Sequence, residues 1–188
     1  MLRLLLIISI TGCLSCSKNE KTREVVEQSS KVSSKPLSID ADPDKEYIKY
    51  DSISIEAIVV SNLTIGAIRE DIIQKFGRPD SVKKILNEFN GVETNAFYYS
   101  TNSFEFENNK MIGFELYDSS FYFLNEKIAV GQPFITIQKT FPISYKNRMP
   151  SGNEDEEILR IMIEGTYDYI MIKILDGTVT EIMKFENY

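Results

Sequence analysis

Leu63-Thr64-Ile65-Gly66-Ala67-Ile68-Arg69-Glu70-Asp71-Ile72-Ile73-Gln74-Lys75-Phe76-Gly77-Arg78-Pro79 reads as a short amphipathic helix closed by glycine and proline. Ile68, Ile72 and Phe76 fall at i, i+4 and i+8, one face of a helix, with Arg69, Glu70, Gln74 and Lys75 elsewhere around it. Glu70 and Asp71 suit the positive N-terminal end of the helix dipole, and Lys75 the negative end. Gly77 is expected as a left-handed cap, with Pro79 preventing resumption. A second stretch, Ile128-Ala129-Val130-Gly131-Gln132-Pro133-Phe134-Ile135-Thr136-Ile137-Gln138-Lys139-Thr140-Phe141-Pro142, repeats the spacing 65 residues on. Leu63 matches Ile128, Ile65 Val130, Gly66 Gly131, Ile72 Ile137 and Phe76 Phe141. A constant shift across five apolar or glycine positions predicts a duplicated unit.

Strand signals surround both helices. Ile53 to Val60 begins with alternation and ends apolar, predicting a partly buried strand. Val82–Phe89 and Val92–Tyr99 flank Asn90-Gly91, a strong two-residue hairpin signal. Phe104-Glu105-Phe106-Glu107 alternates, and a three-residue turn at Asn108-Asn109-Lys110 would put Phe104, Phe106, Ile112, Phe114 and Leu116 on one face. In the second copy Leu159, Ile161 and Ile163 alternate, then Ile170, Ile172 and Ile174, before Asp176-Gly177 turns into Val179–Phe185. Phe104, Phe106 and Phe114 match Ile172, Ile174 and Ile182 at a shift of 68, so a small insertion separates helix from hairpin. Its expected home is Tyr145–Glu157, a polar surface loop. The fold class expected is α+β: two tandem repeats, 46–120 and 121–188, each a helical segment packed on an antiparallel sheet. Halves of about 65 residues are marginal alone, so they are expected to share a core.

Composition excludes several functions. The chain has 188 residues, a net charge of −7 and no histidine. Imidazole bases and histidine-containing zinc sites are therefore absent, and the acidic balance speaks against nucleic acid as partner. The two cysteines, Cys13 and Cys16, both lie in the apolar leader, which leaves the folded part no thiol nucleophile, disulfide or thiolate metal site.

That leader sets the address. Met1-Leu2-Arg3 precedes an uncharged run from Leu4 to Leu14, too short to span a bilayer and of signal-peptide length. The run ends in Ile10-Thr11-Gly12-Cys13 and Leu14-Ser15-Cys16, which resemble the lipobox of bacterial lipoproteins. Residues 1–15 are read as the signal peptide and Cys16 as the acylated residue, with Cys13 as the alternative. Residues 16–45 are polar and charged and are read as a disordered tether, with a mean reach of about 30 Å as a flexible coil. Asp40-x-Asp42-x-Asp44 opens like a calcium loop, yet Lys45 stands where the glycine belongs and Asp51 where the glutamate does. A solvated acidic linker is the simpler reading. Attachment to a membrane through the lipid is expected, in the bacterial envelope and at the outer membrane facing the periplasm.

Ile65-Gly66-x-x-x-x-Asp71-Ile72-x-x-x-Phe76-Gly77-x-Pro79, followed by an aromatic hairpin and Phe-x-Phe-x-Asn-Asn-Lys-Met, resembles the unit of β-lactamase-inhibitor-like proteins and of the envelope assembly lipoprotein BamE (SmpA/OmlA). The resemblance covers Ile53 to the C-terminus as two copies and implies helices packed on an antiparallel sheet. Ile68 departs from the Ser or Thr helix cap usual in these units, and the second copy lacks the glycine of Gly77. The motif carries no catalytic residue, and kinship of fold does not fix function.

Candidate sites are weighed accordingly. Glu105, Glu107 and Glu115 are carboxylates on one side of a hairpin, but no nucleophile or base partner accompanies them, and such charges are expected on the wet side of a sheet. Asp51-Ser52-Ile53 and Asp80-Ser81-Val82 resemble short O-glycosylation sequons of Bacteroidetes. Aromatics and methionines are more informative, being enriched at protein-binding surfaces. Tyr98, Tyr99, Tyr117, Tyr122, Tyr169 and Met171 form the candidate partner face, read against plain cross-strand stabilisation. The functional expectation is a non-catalytic protein-binding module of the envelope, an assembly accessory or an inhibitor, with another envelope protein as partner and neither metal nor cofactor. The alternatives are a binder of a small ligand or peptidoglycan fragment between the repeats and a carboxylate-dependent hydrolase.

Overall fold

The computed structural model describes residues 49–86, 91–125 and 127–186. The leader, both cysteines, the whole tether with its Asp40–Asp44 run, and Asn90 of the first hairpin turn lie outside these residues. The strand order along the chain is β1 (Ser52–Ile53), β2 (Val59–Val60), β3 (Leu63–Thr64), β4 (Ser81–Leu86), β5 (Glu93–Tyr99), β6 (Asn102–Glu107), β7 (Lys110–Leu116), β8 (Met149–Pro150), β9 (Glu156–Ile163), β10 (Tyr169–Leu175) and β11 (Thr178–Phe185). The helices are α1 (Arg69–Phe76), α2 (Ile135–Thr140) and α3 (Pro142–Lys146), with a single 3-10 turn at Ile55–Ala57.

The protein is a mixed α/β structure with one large, mostly antiparallel sheet of order β1-β9-β10-β11-β7-β6-β5-β4, in which β8 also pairs with β9. β1 alone runs parallel to its neighbour, pairing Ser52 with Met162. The seam between early and late strands is β7–β11, where Leu116 faces Ile182 and Glu115 faces Met183. Strand alternation gives the sheet an inner side holding Phe97, Phe104, Phe106, Phe114, Ile172 and Ile161. Ile72 of α1, Ile137 of α2 and Phe141 join them in one continuous core, all without solvent exposure. Phe76 stacks on Phe104 at 6.0 Å and meets Phe121 edge-on at 4.9 Å, which fixes α1 on the inner side.

The starts of α1 and α2 are satisfied without side-chain caps. Ile68 precedes α1 and offers no side-chain hydrogen bond. The Arg69 N–H donates instead to the Asn109 carbonyl at 3.1 Å, and the Asn109 amide donates to Glu70 at 2.9 Å. The Phe134 N–H, just before α2, likewise donates to the Gly177 carbonyl at 3.1 Å. The β6–β7 hairpin tip therefore supplies an acceptor to the first N–H of α1, while the β10–β11 tip holds the residue just before α2.

Four local readings change. The stretch Ile53–Val60 is not one strand: Ile53 pairs beside β9 at a far edge, then a 3-10 turn separates it from β2. The Asn108-Asn109 turn has two residues, both at positive φ (47° and 70°), so β7 begins at Lys110. Met111 then pairs with Phe106, and Ile112 becomes a bulge that returns Phe114 to the inner side. Tyr145–Glu157 is only partly loop, since Pro142 ends α2 and, as a residue suited to a first helical turn, starts α3, while Met149–Pro150 pairs with β9. Gly77 has φ 84° and ψ −169°, an extended glycine-only conformation rather than a left-handed cap.

The last point has a measurable consequence. A Cβ at Gly77 meets nothing within 4 Å, so a side chain there costs backbone strain alone. Gly77→Ala is expected to lower stability by about 1–3 kcal/mol in urea unfolding. An unchanged midpoint would show that the backbone relaxes freely.

Candidate functional site

Among the described residues no helix lies on the outer side of the sheet, and the sheet register lines up its side chains. Tyr98 faces Ser103, Ser103 faces Glu115, Glu115 faces Met183, Met183 faces Met171, and Met171 faces Arg160. This row crosses six strands from β5 to β9. Beside it Phe185 pairs with Tyr169 and Tyr169 with Met162, the two rings stacked at 5.0 Å. The Arg160 guanidinium lies 4.9 Å from the Tyr169 ring, and Lys83 lies 4.6 Å from that of Tyr98. Cations over ring faces fix the rings at modest energy.

Tyr117 leaves the end of β7 on the same side. Buried Asn102 holds it there, its carbonyl oxygen accepting the Tyr117 N–H at 2.8 Å and the Asp118 N–H at 3.2 Å. The phenol donates toward Glu115 and Glu181. Burial first, then those two carboxylates, push the Tyr117 hydroxyl up to about 12. Its proton is held more tightly in the folded chain than in the unfolded one. The associated stability is complete below the ordinary tyrosine value of about 10 and fades as pH climbs through about 12. Tyr117→Phe is therefore expected to flatten the loss of stability over that window, read from melts at stepped pH. A variant whose melting point falls just as steeply with pH would exclude this coupling.

Glu181 is buried and pairs with Lys173 at 2.6 Å, and the hydrogen bond to that carboxylate raises the Lys173 ammonium above its ordinary value. Glu105 accepts from the Thr94 hydroxyl, and Glu115 from that of Ser103 at 3.4 Å. Between them lies a cavity of about 70 Å³ that Tyr98, Ile85 and Ala96 also line. It has room for a few waters and is well below the roughly 300–1,000 Å³ of small-molecule sites. Among the described residues, no group of three or more potential ligands is placed to hold a metal ion.

The six expected surface residues thus divide. Tyr98, Tyr117, Tyr169 and Met171 share the helix-free side, with Tyr117 exposed and Tyr169 almost buried beneath Phe185. Tyr99 points the other way, into the core, where its hydroxyl donates to the Gly77 carbonyl at 3.0 Å. One residue along a strand reverses the side, and Tyr98 and Tyr99 show it. Tyr122 is exposed but belongs to the loop between buried Phe121 and Phe123, off the sheet. Met183, Phe185, Met162 and Arg160 complete the surface. Their alternation with Ile182, Ile161 and Ile163 was the available signal. Cys16 and Cys13 lie outside the described residues, and no described helix is long and apolar enough to cross a membrane. No family model, curated protein or solved structure matches the chain.

Proposed function

We propose that the chain is a lipid-anchored lipoprotein of the bacterial envelope, held at the outer membrane facing the periplasm through Cys16 or Cys13. Its helix-free sheet face binds another envelope protein without catalysis. The single observation behind this reading is the row from Tyr98 to Arg160, flanked by exposed Tyr117 and Phe185 and covered by no described element. Tyrosine and methionine are enriched at protein-binding patches, and here they stand among carboxylates that already have partners of their own, Glu105 with Thr94, Glu115 with Ser103 and Glu181 with Lys173.

The same proposal includes two tandem repeats, residues 46–120 and 121–188, of the β-lactamase-inhibitor-like kind. Matched hydrogen bonds support it. The Gly66 N–H donates to the Met111 carbonyl at 2.8 Å, and the Gly131 N–H to that of Val179 at 2.8 Å. The returning bonds, Met111 N–H to Ala67 and Val179 N–H to Gln132, are both 2.9 Å. Both glycines hold positive φ, 89° and 85°. Bulges at Ile112 and Thr180 follow two-residue turns at Asn108-Asn109 and Asp176-Gly177. Each match keeps the shift of 65 before the hairpin or 68 within it.

Affinity capture from detergent-solubilised envelopes tests the binding reading. Tyr98→Ala combined with Tyr117→Ala and Phe185→Ala is expected to lose a protein that the unaltered chain retains, while its far-ultraviolet circular dichroism stays native. Retention of the same partner by the triple variant would move the site elsewhere. Palmitate labelling of Cys13→Ser and Cys16→Ser separately tests the anchor, which requires one of the two to abolish incorporation.

A further inference from the structure

The two edges of the large sheet are treated differently. On one side β9 is covered by β8 over Ile158 and Glu157 and by β1 over Met162 and Ile163. On the other, β4 pairs only inward with β5, and no described strand lies against its outer side. All six of its residues are exposed, including Val82 at 52% and Ile85 at 39%. An open edge with apolar side chains is a template for another strand.

We propose that two copies of this chain pair antiparallel through β4 around a twofold axis perpendicular to the sheet, with Val82 opposite the second copy's Val82. Such an axis keeps each face on its own side, so residues can pair only when their numbers sum to an even value. Centring the pair on Lys83 sets two ammonium groups side by side, and centring it on Lys84 does the same; like charges directly opposite are destabilising. Centring it on Val82 instead sets Asp80 against the second copy's Lys84, twice by symmetry. It also sets Pro79 against Ile85 and Ser81 against Lys83. Asp80 already accepts from the Ser100 N–H at 2.7 Å, and Lys84 already holds Glu93 at 2.6 Å. A carboxylate has two oxygens and an ammonium three donors, so each accommodates the further partner. The paired lysines disfavour the two central registers, and of those centred on the flanking Val82 and Ile85 only the first sets Asp80 against Lys84.

Sedimentation equilibrium of the full chain in detergent, under reducing conditions, tests this independently of any envelope partner. A monomer–dimer equilibrium is expected. Lys84→Glu sets Glu against Asp80 and is expected to weaken it at least tenfold, whereas Lys83→Glu, facing Ser81, is expected to stay within twofold. Adding Asp80→Lys to Lys84→Glu restores the opposite charges and is expected to restore the dimer. A chain monomeric at every concentration, equal losses from Lys83→Glu and Lys84→Glu, or a natively folded double variant that stays monomeric would overturn the proposal.

Discussion

Asp51→Ala is expected to lower stability by about 2–3 kcal/mol, a large effect for one residue before the first described strand. Asp51 is buried, and its carboxylate accepts the Ser144 N–H at 2.8 Å, at the start of α3. Its own N–H donates to the Ser144 hydroxyl at 2.8 Å, and its carbonyl accepts from Met162 at 2.9 Å. The side chain thus caps a helix 93 residues away while the backbone stitches β1 to β9. Alanine keeps the backbone bonds but leaves a buried N–H without an acceptor and removes a negative charge from a helix N-terminus. Asp51→Asn retains an acceptor oxygen and should lose about half as much. Urea titration of the two variants checks the order. An equal loss for both would assign the effect to charge alone.

Phe104→Ala should cost more, about 3–5 kcal/mol. Its ring is fully buried and contacts Phe76, Tyr99 and Phe121 at centroid distances of 6.0, 5.9 and 5.1 Å. Truncation removes the centre of this cluster, which three bulky neighbours cannot collapse to fill. Because Leu116 and Ile182 carry the same core across the β7–β11 seam, the destabilisation should appear as one shifted transition in calorimetry. Two separated transitions would mean that early and late strands melt independently, against a shared core.

Local chemistry was legible in the residues. The Ile72–Phe76 spacing, the stop at Gly77, the Asp176-Gly177 turn at positive φ and the buried Ile72 and Ile137 all follow from contacts within a few positions, whereas Ile68, expected on the same helix face, lies before the helix in extended conformation and is exposed. Features set by distant partners did not show. Nothing near Ser52 announces a strand that pairs 110 residues downstream with Met162. The missing Ser or Thr cap at Ile68 was visible, but its replacement by the Asn109 carbonyl depends on how a hairpin returns to the helix. Parity was the finest limit. Whether Tyr98 or Tyr99 faces outward turns on a one-residue register that alternation alone leaves open, whereas Tyr117, Tyr169 and Met171 were assigned to the helix-free side from the flanking isoleucines and phenylalanines.

The same parity gives the helix-free side its character. Inner positions are filled by Phe, Ile and Leu, and outer positions at the centre by Ser103, Glu115, Met183 and Met171, which pack sideways without closing over. The carboxylates there are held by Thr94, Ser103, Tyr117 and Lys173, so a partner bound as proposed would meet the aromatic and thioether groups.

Site-specific photocrosslinking in living cells tests that surface most directly. A photoreactive side chain at Tyr98, Tyr117 or Phe185 is expected to trap one and the same envelope protein, while the same group at exposed Ile135 or Tyr122 on the helix side traps none. Crosslinks arising equally from Ile135 and Tyr122, or none from the three sheet positions, would contradict a partner bound on the helix-free face.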